Sequence, residues 1–297
     1  MKARIAEIQS VYESAAGRIV AVLSSLDPAT YTAVESGKAL SQVKNIIRSL
    51  DTAVQIWTPG AIRAAYEESA GVARTRLEMI GAKQNKRYNP ARHDKKIAAL
   101  TKTVMTDYWK ANRTIEKTAR QYLAVMMQAA AGVKKIERVQ EFDPEEIKTF
   151  IDRMVRASLK AKTKYNLGQA HLTSKDIASK IMKKLKEKIG GGDFININGR
   201  SFNLKSYAEL VARTRMRESQ TEAVKESMKQ FDEDLVEIPR HDNPCAEICA
   251  EYQGKVYSVS GKSDKYDELP DGGPPWHPNC EDVMNPVSEN ALSWRNA

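Results

Sequence analysis

The sequence predicts a mainly α-helical chain that ends in a small α+β lobe, and three observations support this fold class. Apolar residues recur at three- and four-residue steps through most of the first 130 residues. After residue 193 the pattern changes to short alternating runs, which are typical of strands. All three cysteines and two of the four histidines lie between His241 and Cys280. We therefore expect two regions, a helical partner-binding region at 1–140 and an α+β domain at 141–297, with the Cys/His cluster at 241–280.

Capped amphipathic segments predict the N-terminal helices. The first runs from Ala3 to about Leu26, and Asp27-Pro28 and Thr58-Pro59 each resemble a helix start, because proline is favoured at the first helical position. A longer pattern extends from His93 to about Ala131. Helices of this length need neighbours to cover their apolar stripes, so we expect an N-terminal helical bundle or extended helical arm.

The C-terminal half combines further helices with short strands. Helix starts are predicted at Thr173-Ser-Lys-Asp176 and at Ser206-Tyr-Ala-Glu209, both variants of the capping box. Asn198-Gly199 lies between two short alternating runs and predicts a β-hairpin. Residues 235–238 and 256–259 read as strands on either side of the first two cysteines. This order of elements is typical of an α+β lobe.

Charge is unevenly distributed along the chain. Residues 1–192 contain 35 Lys and Arg against 19 Asp and Glu, whereas residues 193–297 contain 12 against 19. A basic half can bind phosphate or an acidic protein surface, whereas an acidic half is repelled by DNA. One basic run is the best candidate for weak nucleic-acid contact, although it has no stacking aromatics and no base-reading motif. It consists of Lys180, Lys183, Lys184, Lys186 and Lys188.

The cysteine and histidine spacing predicts a metal site. Cys245 and Cys249 form one short pair, and His277 and Cys280 form another. Two such pairs are how a tetrahedral structural zinc site is assembled from sequence, and thiolates with an imidazole suit zinc better than a hard cation. His241 is an alternate ligand if Cys245 points away. An odd number of cysteines does not favour a disulfide framework.

Other interpretations of the cluster remain open. A zinc deaminase needs His-x-Glu and Pro-Cys-x-x-Cys, which this sequence lacks. A nuclease-like finger could use His241 with Asp242, and a Cys–His nucleophilic pair is a further alternative. The three cysteines could also be plain core residues, but proline, glycine and polar residues surround them.

The same segments resemble the minor head proteins of tailed bacteriophages, namely the Mu F-like head-morphogenesis class and a related class of phage minor capsid proteins. The resemblance rests on H-D-N-P-C-A-E-I-C-A-E-Y-Q-G-K-V-Y-S from His241 and on P-P-W-H-P-N-C before Glu281. It extends upstream through four further motifs and covers roughly residues 165–288. These motifs are Thr173-Ser-Lys-Asp176, the Asn-Gly-Arg turn, Ser206-Tyr-Ala-Glu-Leu and Ala212-Arg-Thr-Arg215.

The resemblance implies a structural protein without turnover chemistry that acts in head assembly near the portal vertex. Its expected partners are the portal protein and the major capsid or scaffolding protein, with packaged DNA contacted non-specifically. It would be synthesised in the host cytoplasm and reside in the virion. We expect no membrane association, since the longest apolar run, residues 122–133, is too short to span a bilayer. The alternative function is a zinc-containing nucleic-acid-binding or nuclease-like module that uses the basic half on phosphate.

Overall fold

A computed structural model describes residues 1–26, 32–130, 195–197, 200–241, 244–289 and 292. Within them the chain is mainly helical and has a three-stranded sheet near its C-terminal end, which confirms the predicted fold class. The predicted helix starts at Asp27-Pro28 and at Thr173 lie outside the described residues. So does the expected boundary near residue 140, which stays a prediction.

Three long helices form the N-terminal part: α1 (Lys2–Ser24), α2 (Ala33–Met79) and α3 (Ala91–Ala130). A reciprocal cap starts α2, because the backbone N–H of Glu35 donates to the Thr32 hydroxyl at 3.2 Å and the Glu35 carboxylate accepts from the Thr32 N–H at 2.8 Å. The side chain of Asn89 accepts the N–H of Ala91 at 3.0 Å and so caps α3. The first and third helices agree with the sequence prediction. None of the described helices contains a stretch both long and apolar enough to cross a membrane.

The predicted helix start at Thr58-Pro59 is wrong, because α2 continues through both residues. Pro59 has no N–H to donate to the carbonyl four residues earlier. Thr58 is fully buried, and its hydroxyl donates to the carbonyl of Val54 at 2.7 Å instead of capping a new helix. The flanking residues Trp57 and Ile62 are buried as well. We conclude that packing on both sides of the proline outweighs the lost backbone hydrogen bond.

A fourth long helix, α4 (Leu204–Phe231), begins slightly earlier than predicted. The side chain of Asn203 accepts the N–H of Ser206 at 2.8 Å, so Asn203 is the cap and Ser206 lies in the first turn. Its buried side chains include Tyr207, Val211, Val224, Met228 and Phe231.

Five short strands follow the predicted change of period. The first two, β1 (Ile195–Ile197) and β2 (Arg200–Phe202), pair antiparallel with Ile197 opposite Arg200, which confirms the pairing that the hairpin prediction implies. The others, β3 (Leu235–Glu237), β4 (Val256–Ser258) and β5 (Asn285–Val287), form an antiparallel sheet in the order β4-β3-β5. The first two of these were predicted, but β5 was not. It contains Pro286, which an edge strand tolerates.

The chain divides into two compact units, each described here by itself. Unit 1 contains Met1–Ile8, Ala53–Tyr108 and Ala208–Ala297. Its core joins the C-terminal ends of α2 and α4 to the three-stranded sheet. The buried residues of that core are Ala73, Leu77, Val224, Met228, Phe231, Val236, Ile238, Tyr257, Leu269 and Met284.

Unit 2 contains Gln9–Thr52 and Trp109–Tyr207. A buried polar chain links its three N-terminal helices: the Tyr12 hydroxyl donates to Asn112 at 2.8 Å, and the Asn112 amide donates to Asp51 at 2.8 Å. Arg113 completes the chain by donating to the other oxygen of Asp51 at 2.8 Å. Because Tyr12 and Asn112 are fully buried, these bonds fix which residues of α1, α2 and α3 face one another.

Candidate metal centre

The first pair of candidate ligands lies between β3 and β4. Ile238 lies just past β3. Its carbonyl accepts the N–H of Gly254 at 2.7 Å, and its N–H donates to the carbonyl of Lys255 at 3.0 Å. These bonds close the intervening loop at its base. Gly254 has a φ of +75°, a conformation that glycine adopts at no steric cost. The loop contains a short helix, α5 (Glu247–Tyr252), which carries Cys249, while Cys245 precedes it.

The second pair lies between β4 and β5. Trp276 anchors this segment, because its indole N–H donates to the carbonyl of Pro270 at 3.1 Å and its ring lies 4.8 Å from that of Tyr252. A turn follows in which the N–H of Cys280 donates to the carbonyl of His277 at 3.1 Å. Because β3 pairs with both β4 and β5, the central strand holds together the two segments that carry the ligands.

The four candidate ligand atoms converge. The Cys245 sulfur lies 3.4 Å from the Cys249 sulfur, and the Nε2 atom of His277 lies 3.1 Å from each of them. The sulfurs of Cys249 and Cys280 are 3.8 Å apart. All four atoms lie within 4.8 Å of one another, so this Cys3His group could hold a metal ion.

These separations fit a small tetrahedral ion. With metal–sulfur bonds of about 2.3 Å, the ligand atoms of a regular tetrahedron lie roughly 3.8 Å apart, close to the distances between the sulfurs. The Nδ1 atom of His277 lies 2.8 Å from the carbonyl of Pro278. A proton on Nδ1 would donate to that carbonyl and leave the Nε2 lone pair directed at the cluster, as metal-ligating histidines require.

Burial disfavours the charged thiolate form of these cysteines when no cation is bound to them. Cys249 is fully buried and Cys280 is 5% exposed, whereas Cys245 is exposed. Burial raises the pKa of the Cys249 and Cys280 thiols above the ordinary value. A bound cation would favour the deprotonated form that metal ligation requires.

A buried carboxylate, Asp282, connects the segments around the cluster. It lies 3.3 Å from the Cys280 sulfur, and its other oxygen accepts from the Gln253 amide at 2.7 Å. That same oxygen is 3.1 Å from Nε2 of His241. Burial by itself would raise the pKa of Asp282, but hydrogen bonds from its neighbours, Gln253 among them, hold it below the ordinary value. Asp282 thus joins His241 in the loop after β3, Gln253 just past the end of α5, and the last cysteine.

The structure brings together the four residues of the predicted metal set. His241, the alternate ligand, contacts Asp282 and Gln253 and is not part of the converging group. The basic run Lys180–Lys188 and Asp242 lie outside the described residues. Sequence reasoning missed Asp282 and Gln253, although each lies within four residues of a cysteine.

Three arginines near the middle of α4 are involved mainly in contacts within the chain. Arg215 pairs with Asp107 and Glu218, both at 2.6 Å. Arg213 pairs with Glu209 at 2.8 Å. Arg217 donates to the side-chain oxygen of Gln220 at 2.9 Å.

Comparison with known proteins gives a family match. The family model described as phage minor capsid protein 2 matches residues 159–269, a segment that includes Cys245 and Cys249 and ends before His277. No curated protein and no solved structure matches the chain. Because the family is one of capsid proteins, the match supports a structural role in a phage head. Over residues 159–269 the chain carries the sequence pattern of phage minor capsid proteins, which confirms the resemblance inferred from its motifs.

Proposed function

We propose that this protein is a structural component of the phage head that works near the portal vertex through contacts with other head proteins. The family match over residues 159–269 is the observation that carries the proposal. The portal protein and the major capsid or scaffolding protein are the partners to test. In this proposal the chain is made in the host cytoplasm, is retained in the virion and catalyses no reaction.

We further propose that Cys245, Cys249, His277 and Cys280 bind one structural zinc ion. Four protein ligands fill a tetrahedral shell, which leaves no open position for the water that a catalytic zinc activates. The ion would join the loop that carries α5 to the segment before β5. Its contribution is to fold stability, so that the C-terminal end keeps one shape for a partner to bind.

The head role can be tested in a phage that lacks the gene and is complemented by variants. We expect virions of the complemented phage to contain the protein by mass spectrometry, and the phage without it to yield few DNA-filled heads. Cross-linking of purified heads should join the protein to the portal protein. Normal heads without the gene, or a protein absent from virions, would refute this role.

The metal assignment has its own test. Purified protein should contain about one zinc per chain, and Cys280→Ser should lose it. His241→Gln is the matched control, since His241 lies beside the cluster but outside the converging group. Zinc retained in Cys280→Ser and lost in His241→Gln would contradict the proposed ligand set.

A further inference from the structure

Two arginines on one face of α4 have buried polar atoms without acceptors. Arg213 and Arg217 are four residues apart, so they share a face of the helix. The Nε atom of each is buried and has no hydrogen-bond partner among the residues that the structure describes. A buried donor without an acceptor has lost its hydrogen bonds to water without replacement, so these two atoms need a compensating interaction.

Arg217 differs most clearly from its neighbour Arg215. Arg215 forms two carboxylate ion pairs, whereas Arg217 forms none within the described part of the chain and donates only to the neutral Gln220. Burial lowers the pKa of Arg217, and the acidic groups that oppose this shift are those of Cys280, Glu281, Asp282 and Cys245. The face of α4 that carries Arg213 and Arg217 lies against the segment of the second ligand pair, since Arg213 is 4.0 Å from Glu281 and the hydroxyl of Thr221, one turn after Arg217, donates to the carbonyl of Pro274.

The charge of the candidate metal centre explains why a cation lies near it. Metal ligation requires the three cysteines as thiolates, so a zinc ion bound by them and by neutral histidine has a net charge of about −1. Asp282, which is 2% exposed, adds a second buried negative charge. Two negative charges in a site of low exposure need a nearby cation, and sulfur ligands accept hydrogen bonds from such groups.

An external anion fits this face poorly. Phosphate placed against Arg213 and Arg217 would also face two carboxylates, that of Glu281, which lies 4.0 Å from Arg213, and that of Asp282. The like charges would repel it. The arginines are better explained by the centre near which they already lie.

We propose that Arg217, assisted by Arg213, is the counter-charge that stabilises the metal-loaded state of the Cys3His centre. Arg217 acts as a positioning residue. It does not bind the ion, but its positive charge stabilises the negatively charged ligands that surround the ion in a buried site. This inference rests on the metal site proposed above. The charge of Arg217 would thus link α4 to the metal centre electrostatically. Binding of the metal would also give the two buried Nε donors a negatively charged neighbour.

The test is zinc affinity of the full chain, measured by competition with a chromogenic chelator. We expect Arg217→Gln to bind zinc about 10- to 100-fold more weakly, the range typical for loss of a residue that supports metal ligands. Arg217→Lys should remain within a few-fold of the native chain because it keeps the charge. Arg215→Gln is the matched control, since it removes an arginine from the same helix that faces other carboxylates, and its zinc affinity should be unchanged.

These zinc affinities distinguish failure of the counter-charge role from failure of the metal site itself. Unchanged zinc affinity in Arg217→Gln would overturn the counter-charge role, and so would an equal loss in Arg215→Gln, which would indicate general destabilisation. If Arg217→Gln does not fold, Arg217→Lys decides the matter, because a tenfold loss in that variant would show that charge is not what the centre needs. A native chain that binds no zinc would instead refute the metal site itself.

Discussion

Removal of the metal should destabilise unit 1 and leave unit 2 unchanged. Both ligand-bearing segments pack on the core of unit 1, since Tyr252 and Trp276 lie against the buried apolar residues that include Leu77 and Phe231. The parts of α1, α2 and α3 that belong to unit 2 are held together by their own buried polar chain. We therefore expect a chelator to lower one thermal transition and to leave the other in place.

The expected change in the Tm of unit 1 follows from the free energy of zinc binding and from the number of residues in the unit. Zinc held 1,000-fold above its dissociation constant stabilises the folded state by about 4.1 kcal/mol. Unit 1 spans roughly 150 residues, for which 1 kcal/mol shifts Tm by about 2–4 °C. The expected loss of Tm on chelation is thus about 8–16 °C.

Differential scanning calorimetry in a zinc buffer, with and without chelator, measures this shift. Cys280→Ser should show the lower Tm in both conditions, because it has no site for the chelator to empty. The reasoning would be refuted if metal analysis showed complete removal while the transition of unit 1 stayed within about 2 °C.

Three further predictions concern the rest of the chain. Burial by itself would raise the pKa of Glu226, but hydrogen bonds and ion pairs with its neighbours outweigh burial and hold this pKa below 4.5. The ionised carboxylate therefore stabilises the fold above that pH. As the pH falls below about 4.5, chemical denaturation should show a loss of stability that Glu226→Gln lacks. Asn112→Ala should destabilise unit 2 by about 1–3 kcal/mol, because the buried Tyr12 hydroxyl loses its acceptor; Asn45→Ala, an exposed control, should change little. Any DNA binding by the full chain should be independent of sequence and fall steeply with salt in a filter-binding assay, whereas selective binding that survives high salt would contradict it.

Periodicity and turn chemistry predicted most of the described elements because both act locally. The amphipathic steps of α1 and α3 depend only on nearby residues, and so does the Asn198-Gly199 hairpin. Pro59 shows where local rules fail: the proline costs one backbone hydrogen bond, but packing of Trp57 and Ile62 elsewhere in the fold decides the outcome. The strand β5 escaped prediction for a related reason, since Pro286 is tolerated only at a sheet edge, and sequence does not reveal which strands are edges.

The candidate site divides in the same way. Its four ligands were predictable because metal chemistry imposes residue types at short spacings. Asp282, Gln253 and Arg217 are not ligands, so ligand spacing did not predict them. Asp282 and Gln253 lie near cysteines in sequence, but the hydrogen bond between them joins residues 29 apart. Arg217 is 63 residues from Cys280, and no spacing rule relates a helix residue to a loop so far along the chain.

The position of the cluster explains why a metal would be useful at this end of the chain. Each strand of the sheet has three residues, and so short a sheet is marginal without cover on one face. α2 and α4 supply that cover through the core around Val236 and Phe231. The loops beyond the strands have little apolar sequence to bury, yet Cys249 and Asp282 are buried within them. Polar and ionisable groups are kept in such a place only when they are paired, so a cation held between the loops would complete a structure that apolar packing leaves unfinished.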